Sequence, residues 1–430
     1  MKKKESLLDI KIKGIRLYWF FFFFFVVVAL FLRFAHLEEA IPYTWDQVRD
    51  AWMMRDILVD KKLPLVGPRA GIGHFHLGPA YYYLLAIFYF FTNLDPIASA
   101  YLAVFAVVVT MVTLFLVAKS IFGVKTGLVA VYIYALCPYL INMDRVSWNV
   151  SFLMAISCLI FYFLVKMTQK GFTYFLFACF LAGTFFHIHF TAIFALPVIF
   201  LSSLLVVGKK KKFKFWYLLV GPIIFLLPLV PNIVFELKNN FSEAGKLNQF
   251  WGYYFHGFHL RFMLFRLKEI FLMLGAVIRL KTFGLLNYLI FFIFTVAFLF
   301  CSKTREIRFA GIIIFLWFAM ILFGFTLYSG PISDYYYLST MPFTIYILAW
   351  LTVKIGELSF KPLILLLAVF WLFWGYRNFV ASQAYYPNSG LRMAREAVAE
   401  KINAGERIGF SEGDIKAYLY YLETREDEKK

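Results

Sequence analysis

PAYYYLLAIFYFFT, residues 79–92, decides how the rest of the chain is threaded. The stretch is apolar enough to enter a bilayer, but a helix needs about 20 residues to cross the hydrocarbon. Its four tyrosines suit the bilayer interface. Around it lie apolar runs near 17–34, 97–118, 124–142, 148–165, 172–187, 190–207, 215–235, 284–301, 309–328, 336–353 and 362–379. Lys2 to Lys4, Lys11, Lys13 and Arg16 place the N-terminus inside, and KKKKFK at 209–214 is the strongest inside signal further on. Counting back from that cluster puts Lys166, Lys170, Lys119 and Lys125 inside as well, so one run between Arg33 and Lys119 cannot cross. Residues 79–92 are that run, read as an external helix on or dipping into the outer leaflet.

The expectation is therefore an all-α polytopic membrane protein with about eleven transmembrane helices, external interfacial helices, the N-terminus inside and the C-terminus outside. Composition points the same way: 62% hydrophobic, 21% aromatic and 16% charged, with a mean hydropathy of +0.75. Soluble globular domains are far less apolar. The formal charge of +18 gathers in short loops between apolar runs, which fits anchoring against an anionic leaflet and not nucleic acid. Cys137, Cys158, Cys179 and Cys301 sit in or beside apolar runs without ligand or disulfide spacing. The basic leader with its long apolar stretch reads as an uncleaved first span.

Residues 1–380 form the membrane domain, with external loops at 35–96 and 236–283, and 381–430 form a short external segment of helix, turn at Gly405, strand and helix. This threading collects the unusual polar residues on the outer face. In YTWDQVRD, Thr44 and Gln47 have capping-box spacing at the start of an interfacial helix, which leaves the Asp46 carboxylate free beside Arg49 and Asp50. Asp46 can favour the helix dipole, or act as a general base at the membrane surface. GPRAGIGHFHLGPAYYY supplies Arg69, His74, His76 and Tyr82 to a polar pocket. The two histidines lack a third metal ligand at motif distance. INMDRVSWN sets Asp144 beside Arg145, followed by Trp148 and Asn149, and Asp144 is the sole acid between Asp95 and Glu236, hence the second candidate carboxylate. YSGPISDYYY adds Asp334 and Tyr335. The 236–283 segment interleaves Arg261, Arg266, Lys268, Arg279 and Lys281 with Phe, Leu and Met. That pattern suits an amphipathic helix on headgroups, or a groove in which cations clamp a lipid-linked phosphate.

The basic N-terminus, single span, acid-bearing external loop, interfacial helix, Gly/Pro segment and GPAYYYLL, with DYYYL before a late span, resemble the GT-C superfamily. The protein O-mannosyltransferase and aminoarabinose transferase type is the most similar. Asp46 matches the family's catalytic acid in the first external loop, and Asp144 with Arg145 match its second external acid or Arg. Many relatives carry Asp-Glu where this chain has Asp46-Gln47, and the aminoarabinose type has Lys-Pro-Pro where HFHLGP stands here. The resemblance implies the GT-C fold in a plasma or inner cell membrane, with the active site on the extracytoplasmic face. It implies transfer of a sugar from a polyprenyl-phosphate donor to a glycan, lipid or protein acceptor of the cell envelope, with inversion and Asp46 as base. Arg49, Arg69, Arg145, Arg261 and Arg266 would hold the donor phosphate. No cofactor is called for, and a divalent cation is left open. The rival readings are a secondary transporter or flippase of lipid-linked substrates and a non-catalytic scaffold. Transporters place ionisable sites near the bilayer midplane, whereas these span interiors carry almost no charge.

Overall fold

The computed structural model describes residues 11–12, 15–207, 216–255, 257, 260–278, 304–358, 360–382, 391–406 and 414–425. Among these, six helices are long and apolar enough to cross a membrane, or up to eight if each of two bent pairs counts as one span. The expected span at 284–301, the lysines of 209–214, the end of the 236–283 segment and the expected strand after Gly405 lie outside the described residues.

The first helix, α1 (Leu17–Phe34), turns Phe20, Phe23, Phe24 and Phe31 outward, as a lipid-facing surface requires, and buries Phe22, Ala29, Leu32 and Arg33. After a one-turn helix α2 (Leu37–Ala40) come α3 (Trp45–Leu58) and α4 (Ala80–Phe91). At 12 residues, α4 rises about 18 Å, too little to cross a bilayer. It packs against α3 and α5 (Ile97–Phe122). Ala98, Ala103 and Ala106 of α5 are fully or almost fully buried, so neighbouring backbones approach closely.

Two apolar helix pairs are bent at proline. Between α6 (Val124–Leu136) and α7 (Pro138–Arg145) the chain bends 66° at Cys137, whose extended backbone is what a following proline imposes. Between α11 (Trp216–Leu226) and α12 (Val230–Lys238) it bends 74°, where Pro228 and Pro231 remove backbone donors. The other long elements are α8 (Leu153–Lys170), α9 (Thr173–Phe185) and α10 (Ala195–Val207). Beyond them come α13 (Ser242–Tyr254), α14 (Leu260–Ile278), α15 (Arg305–Leu327), α16 (Met341–Gly356) and α17 (Lys361–Ser382). Helix α16 is the central post, buried from Met341 through Leu351, while α17 shows Leu365, Leu366, Leu372 and Phe373 to the outside. Helix α14 packs against α15 and α16, burying Arg266, and leaves Leu260, Leu264 and Phe265 exposed.

The C-terminal helices α18 (Leu391–Asn403) and α19 (Ile415–Thr424) fold back onto α3 and α4. Leu391, Val398, Tyr418 and Leu419 share a buried cluster with Val48, Ala51, Met54, Tyr81 and Leu85. Arg395 grips both oxygens of Asp95 at 2.7 and 2.8 Å, and Tyr418 donates to the Leu94 carbonyl. The segment is thus part of the packing around α3 and α4.

Candidate active site

Helix α3 begins where the Gln47 amide oxygen accepts from both the Thr44 backbone N–H (2.9 Å) and the Thr44 hydroxyl (2.8 Å). Gln47 is buried, and its amide nitrogen donates 2.6 Å to the Ser147 carbonyl. One side chain therefore starts the helix and ties it to the loop at Ser147 that follows α7. On the next turn, the Arg49 guanidinium bridges two acids: Nη1 to Asp46 at 2.8 Å, and Nε and Nη2 to Asp50 Oδ1 at 2.9 and 2.7 Å. The acids differ in setting. Asp46 is 45% exposed, whereas Asp50 is 1% exposed and accepts a further bond from the Tyr81 hydroxyl at 3.0 Å. Burial pushes the Asp50 carboxyl up to about 6, against the opposing pull of Arg49 and Tyr81. Tyr82 is buried, and burial raises its phenol well beyond the usual range.

Asp144 and Arg145 do not pair as their adjacency suggested. Asp144 accepts from Arg33 Nε at 2.8 Å and from the Tyr134 hydroxyl at 2.7 Å, while fully buried Arg33 also donates to the Ala135 and Tyr134 carbonyls. Arg145 is buried and donates to the carbonyls of Leu32 and Ser382, joining the ends of α1 and α17. The reason is helix packing: α7 turns back beside α1, which brings Arg33 nearer than the sequence neighbour. Both residues lie behind Ser147 and hold the loop that Gln47 grips.

The rings of Trp148 and Tyr335 meet at 4.6 Å, and His189 meets Tyr335 edge-on at 5.5 Å. Tyr335 is also within electrostatic reach of Asp46. Asn149 donates to the Ile188 carbonyl. Asp334 is exposed, and its backbone carbonyl accepts from Tyr139. This aromatic group continues through Phe190 into a cavity of about 690 Å³, walled by Phe75, Leu77, Phe250, Trp251 and Phe325. His76, Asn232, Glu236 and Asn248 give it a few polar points. At its mouth, Arg69 pairs in an antiparallel bridge with His76, whose Nδ1 lies 3.1 Å from Glu243. Arg69 is exposed and makes no hydrogen bond or ion pair among the described residues, and the same holds for Arg261. His74 adopts a positive φ of 57° beside Gly73 (83°), which turns the loop back toward Phe75. Arg266, in contrast, is buried against Glu269 at 2.7 Å.

The structure thus gathers Asp46, Arg49, Asp50, Tyr82, Trp148 and Tyr335, and sets Asp144, Arg145 and Arg266 into the packing behind or beside them. Sequence reading missed Tyr81, Gln47's link to Ser147, Arg33 and His187. His187 accepts from the Ala80 N–H at 3.1 Å, and its Nε2 lies 2.9 Å from the Pro228 carbonyl. That ring leaves no room for a side chain at Gly78, the reason for glycine there. Among the described residues, no three His, Cys, Asp or Glu side chains converge as a metal site would require.

Residues 76–235 match the model of the dolichyl-phosphate-mannose-protein mannosyltransferase family. No curated protein sequence matches the chain. The fold is similar to that of ArnT from Cupriavidus metallidurans bound to undecaprenyl phosphate, at 13% identity and a TM-score of 0.65, over 92% of this chain and 84% of that one. It is also similar to the oligosaccharyltransferase AglB of Archaeoglobus fulgidus in complex with an inhibitory peptide and a dolichol-phosphate. There identity is 11% and the TM-score 0.53, over 93% of this chain and 60% of AglB. The resemblance to the GT-C superfamily holds at the level of the fold.

Proposed function

We propose that this protein is an integral membrane glycosyltransferase that takes a sugar from a polyprenyl-phosphate donor and passes it to an extracytoplasmic acceptor. The observation that carries the reading is a half-exposed carboxylate, Asp46, held by Arg49 and within electrostatic reach of Tyr335, from which ring contacts lead through His189 and Phe190 to an apolar cavity. An apolar cavity suits a prenyl chain, and an ion-paired carboxylate at its aqueous end suits an acceptor. The mannosyltransferase family match and the ArnT-like and AglB-like fold support the same reaction class.

In this mechanism Asp46 accepts a proton from the acceptor hydroxyl or amine as that atom bonds to the anomeric carbon. The carbon–oxygen bond to phosphate breaks on the opposite face, so the anomeric configuration inverts and polyprenyl phosphate leaves with the electron pair. Phosphate needs cations more than a general acid. Arg69, exposed at the cavity mouth, heads the candidates, with Arg261 next. Arg49 holds the Asp46 carboxylate in place through its 2.8 Å ion pair. Burial removes Arg145 and Arg266 from this role and gives them one in holding helix ends. Asp144, bound to Arg33, sustains the loop around Ser147 and is not a second base. The secondary-transporter reading has no comparable support: buried Arg33, Asp144 and Arg145 cluster at helix ends and pin the fold.

The test is sugar release from a panel of labelled polyprenyl-phosphate sugars in liposomes, comparing parent and Asp46→Asn with matched folding. Loss of the base is expected to lower turnover about 100- to 10,000-fold. Parent-like turnover in the variant would leave Asp46 as a helix-end residue.

A further inference from the structure

We infer that the end of the bundle opposite Asp46 carries a separate binding site for the phosphate headgroup of an anionic bilayer lipid. It is a cavity of about 320 Å³ between the ends of α8, α10 and the start of α15, lined by Thr168, Leu205, Val206, Arg305, Arg308 and Ile312. Helix α8 starts next to Trp148 and Asn149 and runs 18 residues, which carries Thr168 roughly 25 Å from that site. Helix α15 likewise begins at Arg305 and ends beside Tyr328, on the wall of the large cavity. The small cavity therefore belongs to the other leaflet.

Two features distinguish it from ordinary basic residues at span ends. First, Arg305 and Arg308 stand three apart on one helix, so both guanidiniums face the same hollow. Neither side chain makes a hydrogen bond or ion pair among the described residues. The nearest acid in sequence, Glu306, is engaged by Lys166 at 3.3 Å, and Lys119 at the same end is held by the Tyr18 hydroxyl at 2.9 Å. Second, the rest of the wall is largely apolar: Leu205 and Val206 come from α10, and Phe309 and Ile312 lie beside the arginines on α15. Paired guanidiniums recognise phosphate oxygens through forked hydrogen bonds, and the apolar wall fits the first carbons of an acyl chain. Basic hollows between spans are suited to anionic headgroups. A lipid seated there would bridge α8, α10 and α15, and α15 also reaches the wall of the large cavity at Phe325.

The site is tested on the purified full chain in detergent by native mass spectrometry during titration with phosphatidylglycerol or phosphatidylcholine. The parent is expected to hold one phosphatidylglycerol about tenfold more tightly than phosphatidylcholine. Arg305→Gln with Arg308→Gln should abolish that preference. Lys125→Gln with Lys170→Gln, which removes two exposed charges at the same end, should leave it intact. Equal loss in both double variants would reduce the preference to general surface charge and overturn the site. Displacement of the lipid by inorganic phosphate at equal concentration would overturn the lipid assignment in favour of a free anion. Should the Gln pair not fold, photoactivatable phosphatidylglycerol decides on the parent. Crosslinks at Thr168, Leu205 or Ile312 support the site, and crosslinks confined elsewhere sink it.

Discussion

Asp50 shows how one buried carboxylate organises the start of α3, bonded to Arg49 and Tyr81. Its folded pKa of about 6 lies above the ordinary carboxylate value. The unfolded chain therefore releases this proton first as pH rises, and between about pH 4 and 6 the folded state binds more protons than the unfolded one. By linkage, Asp50 then lowers stability progressively across that window and adds no further slope above it. Asp50→Asn should flatten the stability profile between pH 4 and 6, checked by thermal unfolding of parent and variant in detergent at stepped pH. The acids and arginine of YTWDQVRD were legible as an unusual polar group in the sequence. Their different environments were not, because burial of Asp50 depends on Tyr81 and on packing from α4.

At the scale of elements, the bent span α11–α12 lies against α9 with almost no clearance. A Cβ at Gly183 would stand 2.1 Å from the Phe225 carbonyl oxygen and 3.2 Å from Pro228. Backbone cannot yield as a side-chain tip can, so Gly183→Ala should push α11 from α9 and disturb the kink whose far side lines the large cavity. The expected loss is roughly 1–3 kcal/mol, read as a drop in unfolding temperature, with less effect from Ala at open Gly245. Neither bend was read from the sequence, where 124–142 and 215–235 each stood as one apolar run, and the close approach at Gly183 likewise has no signature in a uniformly apolar stretch. The short tyrosine-rich helix was legible for the opposite reason: length alone keeps 12 residues from crossing.

Over the whole molecule, the C-terminal helices close on the loop that carries the candidate base. Trp52 of α3 meets Tyr418 of α19 edge-on at 5.2 Å, and Arg55 lies over the Tyr421 ring. Removing residues 391–430 would expose Val48, Ala51 and Met54, which are buried in the intact chain. Backbone hydrogen exchange over residues 45–58 should then rise about tenfold or more, while exchange in α16 stays as in the parent. Unchanged protection of α3 would mean that α4 alone holds it.

The sequence by itself determined an all-helical polytopic membrane protein, a helix at 79–92 too short to cross a bilayer and the unusual polar group around Asp46. Each follows from chain-local physics: composition, hydrocarbon thickness and helix rise. Only the tertiary structure decided which charge meets which. Arg33 reaches Asp144 across 111 positions, Gln47 reaches Ser147 across 100, and Arg395 reaches Asp95 across 300. Such partners are fixed by helices crossing in space, where a charge leaving water takes the nearest opposite group that packing brings to it.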